Sequence, residues 1–199
     1  MKGSLPTIAL VLACTLSTAG AADGLFGDVA QESGIWSLED YGPRDQFDEQ
    51  FRDLDVFALN YARAWRMSSG FEFSLSGGPW LARGTRWEPL TSDPPVDSDA
   101  FGISVGGGVR YNFPEVLRVR PFVDGTVHFS WAERPFPVGG SAVNGFVRWG
   151  LGLEVKMHAD DSLDLGYRRG HVSNGGKSSV QNPAWNGDGL FLAWRRKLE

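Results

Sequence analysis

Apolar residues recur at every second position in segment after segment of this chain, each about ten or more residues long and bounded by turn-rich stretches. A period of two belongs to β-strands, whose successive side chains point to opposite faces. From Phe101 to Phe113, the set Phe101, Ile103, Val105, Val109, Tyr111 and Phe113 shares one face, while Gly102, Ser104, Gly106, Gly108, Arg110 and Asn112 share the other. Val123, Val127, Phe129 and Trp131 alternate in the same way with Asp124, Thr126, His128 and Ser130. Between Val147 and Met157 the apolar set opposes Arg148, Gly150, Gly152, Glu154 and Lys156. Leu163, Leu165 and Tyr167 oppose Asp164, Gly166 and Arg168, and Leu190, Leu192 and Trp194 oppose Gly189, Phe191 and Ala193. Earlier, Phe57, Leu59 and Tyr61 alternate with Ala58, Asn60 and Ala62, and Phe71, Phe73 and Leu75 follow. Residues 22–52 are acidic and poorly patterned; one strand near residues 25–38 brings the count to eight. The stretch from Gly77-Gly78-Pro79 to Pro95 reads as a surface loop, with Trp80 and Trp87 anchoring it at a membrane interface.

Alternation alone does not say which face is inside. A soluble sandwich or lipocalin-like barrel buries its apolar set, and a membrane barrel turns that set outward. Three features favour the membrane barrel. The polar sets carry charges of both signs, such as Arg110, Asp124, Arg148 and Glu154, that can pair in a narrow lumen. The apolar sets carry Trp and Tyr near strand ends, as interfacial girdles do. The chain also begins like an exported protein: Lys2 is followed by the largely apolar Thr7 to Leu16 and by the small residues Ala19-Gly20-Ala21. Residues 1–21 are therefore expected to be a signal peptide, and 22–199 the barrel domain. A second reading of the same segment acylates Cys14 after Leu12-Ala13.

Composition narrows the function. The one Cys falls within the signal segment, which leaves no thiol in the remainder for a disulfide, a metal or nucleophilic catalysis. Without Lys2 the balance is 18 basic against 24 acidic residues, and no basic stripe invites nucleic acid. Beyond the signal no apolar run approaches the ~18 residues of a membrane helix, so a membrane-spanning chain must be a closed barrel. The 26 Gly among 199 residues suit a small barrel whose interior is filled by side chains. The expected fold is thus all-β: an eight-stranded antiparallel transmembrane β-barrel of the Gram-negative outer membrane, both termini periplasmic, with the loop 174–185 at the cell surface.

Candidate chemistry concentrates near the C-terminus. The penultimate strand ends Arg169-Gly170-His171-Val172-Ser173-Asn174, which puts His171 and Ser173 on the lipid-facing side with Leu163, Leu165 and Tyr167. A hydroxyl beside an imidazole is the minimal acyl-transfer pair, in which His accepts the Ser proton while a third group fixes the ring's tautomer. Asn186 and Asp188, on the facing side of the last strand, are the candidates for that third group. Asn174 and Asn182 could donate to an oxyanion. His128, on an inner face, and His158, in a turn, lack metal-ligand spacing. Asp160-Asp161 with Asp164 reads as a solvated turn, and Gly106-Gly107-Gly108 precedes no helix and is no phosphate loop.

The run His171-Val172-Ser173-Asn174-Gly175-Gly176, followed by Asn182-Pro183 and a final strand beginning near Asn186, resembles the C-terminal signature of the PagL-type lipid A 3-O-deacylases. Arg120-Pro121-Phe122-Val123-Asp124-Gly125 and Trp149-Gly150-Leu151-Gly152-Leu153-Glu154 are similar as well, and the likeness spans roughly residues 100–198. The resemblance implies an eight-stranded barrel that hydrolyses the 3-position ester of lipid A without a cofactor or metal. It implies Ser173 as nucleophile, His171 as base, and Asn174, Gly176 and Asn182 around the oxyanion and substrate. The implied partners are lipopolysaccharide and the outer membrane, with a homodimer left open. Two departures stand out: Asn186 occupies the place where the family often has Glu, with Asp188 as the alternative orienting residue, and the chain ends Arg196-Lys197-Leu198-Glu199 without a terminal aromatic. The competing expectation is a barrel without enzymatic activity, serving a structural or adhesion role.

Overall fold

The computed structural model describes residues 26–44, 51–87, 94–175 and 183–199, and the expected signal segment lies outside them. The described chain forms β1 (Val29–Pro43), β2 (Phe51–Met67), β3 (Phe71–Trp87), β4 (Val96–Asp97), β5 (Ala100–Asn112), β6 (Val119–Phe136), β7 (Ser141–Lys156), β8 (Asp161–Ser173) and β9 (Trp185–Lys197). Each stave pairs antiparallel with the next, and β1 pairs with both β2 and β9, which closes the sheet. The barrel therefore has eight staves, with β4 a two-residue addition to the rim against β3. Closure leaves no open sheet edge, as spanning a bilayer requires.

The barrel is inside-out. Leu190, Leu151 and Val127 are 70%, 60% and 60% exposed on its outer wall, whereas Asp164, Glu39 and Arg148 are 0%, 1% and 2% exposed in its lumen. Only a hydrocarbon environment makes that distribution favourable. The connections Met67 to Phe71 and Lys156 to Asp161 at one end are tight, whereas the other end carries, besides the tight Phe136 to Ser141, the long ones from Pro43, Trp87 and Ser173. Short turns mark the periplasmic end of such barrels and long loops the outer end.

The lumen is packed rather than open. Glu39 accepts from Arg148 at 3.1 Å, Arg168 at 2.8 Å and Asn60 at 3.1 Å. Arg168 also reaches Asp124 at 2.6 Å. Towards the periplasm, Asp164 binds Arg110 at 2.6 Å, Glu72 binds Arg195 at 2.8 Å and Arg66 at 3.0 Å, and Arg66 also bonds Glu154. These charges can be buried because each guanidinium meets at least one carboxylate. Towards the outer end, Tyr41, Trp80, Phe136, Phe146 and Trp185 fill the mouth. A cavity of about 50 Å³ remains between these layers, beside Glu39, Asn60 and Arg148. Glycine makes the narrow bore feasible: a Cβ at Gly152 would lie 2.5 Å from the Phe122 ring, and one at Gly166 2.4 Å from the Phe191 ring.

Three expectations need correction. The first strand runs over Val29–Pro43, beyond the expected 25–38, and its second half carries the lumen residues Glu39 and Tyr41. Gly77-Gly78-Pro79 opens no loop; it lies within β3, whose pairing with β5 continues through Gly78↔Ser104 and Pro79↔Ile103. Pairing with β2 does lapse there, passing from Ala58↔Trp80 to Tyr61↔Gly77, because proline has no N–H to donate. Trp80 consequently points inward, buried against Phe136 with ring centroids 5.1 Å apart, and does not anchor an interface. Asp164 belongs to the ion pairs of the lumen and not to the solvated turn at Asp160-Asp161. The side chain of Trp87 lies outside the described residues.

Candidate active site

Alternation along β8 sends Asp164, Arg168 and Val172 into the lumen, which leaves Leu165, Tyr167, Arg169, His171 and Ser173 on the outer wall. Along β9, Phe191 and Ala193 face inward, so Leu190, Asp188 and Asn186 face outward. The two outward rows run from exposed leucines up to polar residues at the outer rim. Charged side chains cost up to ~2–4 kcal/mol at a bilayer midplane and little at the interface, so the change from Leu190 and Tyr167 to Asp188 and Arg169 marks the upper limit of the hydrocarbon.

Register then joins the polar residues in rungs. His171 pairs with Asn186, and Arg169 with Asp188. His171 Nδ1 lies 2.7 Å from Asn186 Oδ1. Nδ1–H donates to the amide carbonyl, and that tautomer leaves Nε2 as a bare acceptor, the form a general base requires. Ser173 follows two residues later on the same face, ~6.6 Å along the strand. Its Oγ accepts from the Gly175 N–H at 3.1 Å, a local turn that Gly175 permits through its left-handed φ of 72°. Asn174 is buried at 8% exposure beside it. Gly176 and Asn182, expected near an oxyanion, lie outside the described residues.

Asp188 has other partners. Its Oδ1 accepts from Arg169 Nε at 2.9 Å, and its Oδ2 lies 3.7 Å from Arg44 Nε. Arg44 was not among the residues the sequence singled out. It sits just past β1, where its N–H donates to the Asn186 carbonyl at 3.2 Å, and no alternation reaches that far to give it away. Trp149 completes the surroundings, its ring centroid 6.0 Å from the Arg169 guanidinium carbon.

A hydroxyl–imidazole contact occurs in the lumen, where His128 lies 2.8 Å from Ser76 Oγ through Nε2 and 3.2 Å from Ser104 Oγ through Nδ1. It is walled in by the barrel, with His128 1% exposed, so no acyl substrate reaches it. His158 is an exposed turn residue. Of the two Ser–His combinations, the one on the membrane face is accessible.

No protein-family model and no curated protein matches the chain. Among solved structures, the crystal structure of the outer membrane enzyme PagL is similar with a TM-score of 0.56 and 16% identity, over 80% of this chain and 97% of that one. Neisserial surface protein A is similar with a TM-score of 0.55 and 16% identity, over 84% and 96% of the two chains. The outer membrane protein OprG from Pseudomonas aeruginosa gives 0.54 and 10%, over 87% and 98%. Identities this low carry the fold and no activity. Together with the apolar outer wall and charged lumen, they place the chain among the eight-stranded antiparallel β-barrels of the Gram-negative outer membrane.

Proposed function

We propose that the protein is an outer-membrane carboxylic ester hydrolase that removes the 3-position hydroxyacyl chain of lipid A by a Ser/His mechanism. The observation that carries this reading is the His171–Asn186 pair on the membrane face, 2.7 Å apart, with Ser173 two residues beyond His171 on the same face. These residues lie just above the Arg169–Asp188 level at which the outer wall turns from apolar to polar, on the headgroup side where a lipid's acyl esters can be reached.

In the proposed reaction Ser173 Oγ attacks the ester carbonyl while His171 Nε2 takes the hydroxyl proton. The oxyanion is held by donors around Asn174, Gly176 and Asn182. Collapse breaks the ester bond, and His171 returns the proton to the departing 3-oxygen of the sugar. Water then attacks the acyl-Ser173 with His171 again as base, which releases a 3-hydroxy fatty acid and restores the hydroxyl.

Asn186 fulfils one of the two tasks of the usual acid. Its carbonyl fixes the tautomer, but it adds no negative charge to stabilise the imidazolium that forms. In a trypsin-type triad, exchanging the acid for Asn costs about 10⁴ in rate, mainly through the wrong tautomer, a fault this geometry avoids. Asn186→Glu is therefore expected to raise kcat, Asn186→Ala to lower it at least about tenfold, and Asp188→Ala to change it less than Asn186→Ala does. Steady-state hydrolysis of lipid A in mixed micelles checks all three. If Asp188→Ala alone loses activity, Asp188 and not Asn186 orients the ring.

The nucleophile can be tested without the natural substrate. A lipid-soluble fluorophosphonate should transfer its phosphonyl group to Ser173 Oγ with loss of fluoride, read as a mass increase on the peptide containing residue 173. His171→Ala should slow this labelling by two orders of magnitude or more, about the contribution of a general base. Labelling elsewhere, or none on folded protein, would favour the non-enzymatic barrel.

A further inference from the structure

Resting on the esterase reading, we infer that Arg169, with Arg44 beside it, forms a subsite for a phosphate group on the headgroup of the lipid substrate. Two guanidinium groups converge on one carboxylate here: Asp188 receives Arg169 at 2.9 Å and has Arg44 at 3.7 Å. The carboxylate has about four lone-pair sites, and the two arginines bring ten N–H donors between them. Donors of the partly exposed guanidinium groups remain beyond those the carboxylate takes up, and phosphate oxygens match a guanidinium fork.

Position supports the assignment. Arg169 lies one rung below His171 on the same outward face, ~6.6 Å along the strand. Arg44 adjoins Asn186 on β9, so one cation lies below the imidazole on its own strand and the other lies beside the residue that faces the imidazole. The Asp188 bond and the nearby Trp149 ring hold the Arg169 guanidinium in place at the upper limit of the hydrocarbon, which lowers the entropy lost on binding. Among the described residues, the further acidic groups on this side are Asp40, which pairs with Leu190 on the outer wall, and Asp53 and Asp55 on β2, all on the β1 and β2 side of the site. They temper Arg44 more than Arg169, which makes Arg169 the main contact. The lumen arginines differ in kind, since each is enclosed with its own carboxylate partners.

The test compares bisphosphorylated lipid A with dephosphorylated lipid A in mixed micelles. Wild-type kcat/KM should favour the phosphorylated lipid about tenfold, through KM, as expected of one charged contact. In Arg169→Gln that ratio should fall to about one, with Arg169→Lys retaining part of it. A ratio of ten that survives Arg169→Gln overturns the subsite while leaving the esterase intact. If neither lipid is hydrolysed, the esterase reading fails and binding decides the subsite separately. Ser173→Ala protein should then still bind the phosphorylated lipid more tightly and lose the preference on adding Arg169→Gln. Equal binding of the two lipids overturns the inference. Inorganic phosphate is included as competitor: inhibition only when the sugar-linked phosphate is present assigns the site to the headgroup, and saturation by free phosphate below millimolar concentration contradicts that assignment.

Discussion

His171→Ala is expected to lower lipid A hydrolysis by about 10³-fold or more, Ser173→Ala by a similar factor, and the double variant by no more than either alone. A nucleophile and its base act as one unit: without the imidazole at Nε2 the Ser173 hydroxyl stays protonated, and without the hydroxyl the imidazole has no proton to accept. The outward position of both residues makes a stability effect small, since neither belongs to the packed lumen. Loss of activity therefore reports chemistry rather than unfolding. Initial rates in detergent micelles for the two single variants and the double one decide the matter. Losses that multiply in the double variant would mean that the residues act independently, and the proposed pair would be wrong.

Glu39→Ala is expected to destabilise the barrel by about 3–5 kcal/mol, the cost of removing one partner from a buried ion pair. Glu39 is 1% exposed and accepts from Arg148, Arg168 and Asn60, so its removal strands guanidinium charge in the lumen. Arg168 keeps the carboxylate of Asp124, whereas Arg148 keeps the uncharged Thr126, the imidazole of His128 and the Phe146 ring, and Arg148 is thus the greater loss. The sign of the compensation is informative. Adding Arg148→Met to Glu39→Ala should recover part of the stability, since replacing buried pairs by apolar groups is often neutral or favourable. Denaturant midpoints of the protein folded in lipid vesicles measure both effects. A Glu39→Ala barrel as stable as the parent would show that the lumen charges contribute little.

The strands β5 to β9 were legible because their outward sets are largely apolar over several positions, most fully in Val147 to Met157. Which face was outside was legible from three features together: charges of both signs on the polar sets such as Arg148 and Glu154, Trp and Tyr near strand ends, and the export-like start. β1 was only partly so: Trp36 and Leu38 face outward there, but Asp40 follows them on the same face and breaks the apolar row. Proline misled at β3. Gly78-Pro79 carries a turn signature, yet the barrel tolerates it by dropping the β2 pairing at that point while keeping the β5 one. Within the site, period and chain order sufficed to put His171 and Asn186 on facing rows, and their register follows from the direct pairing of β8 and β9. Arg44 could not be found this way, because its place depends on how far β1 follows β9 beyond the last alternating residue.

The central claim is that a lipid-facing Ser173 and His171 cleave one acyl ester of lipid A. The most direct measurement is tandem mass spectrometry of lipid A after incubation of lipopolysaccharide with the purified protein in detergent, run beside Ser173→Ala. The expected result is lipid A lighter by a single 3-hydroxyacyl chain, with fragments assigning the loss to the 3-position, and intact lipid A from the Ser173→Ala sample. Lipid A of unchanged mass across several detergents, or the same loss from both proteins, would contradict it.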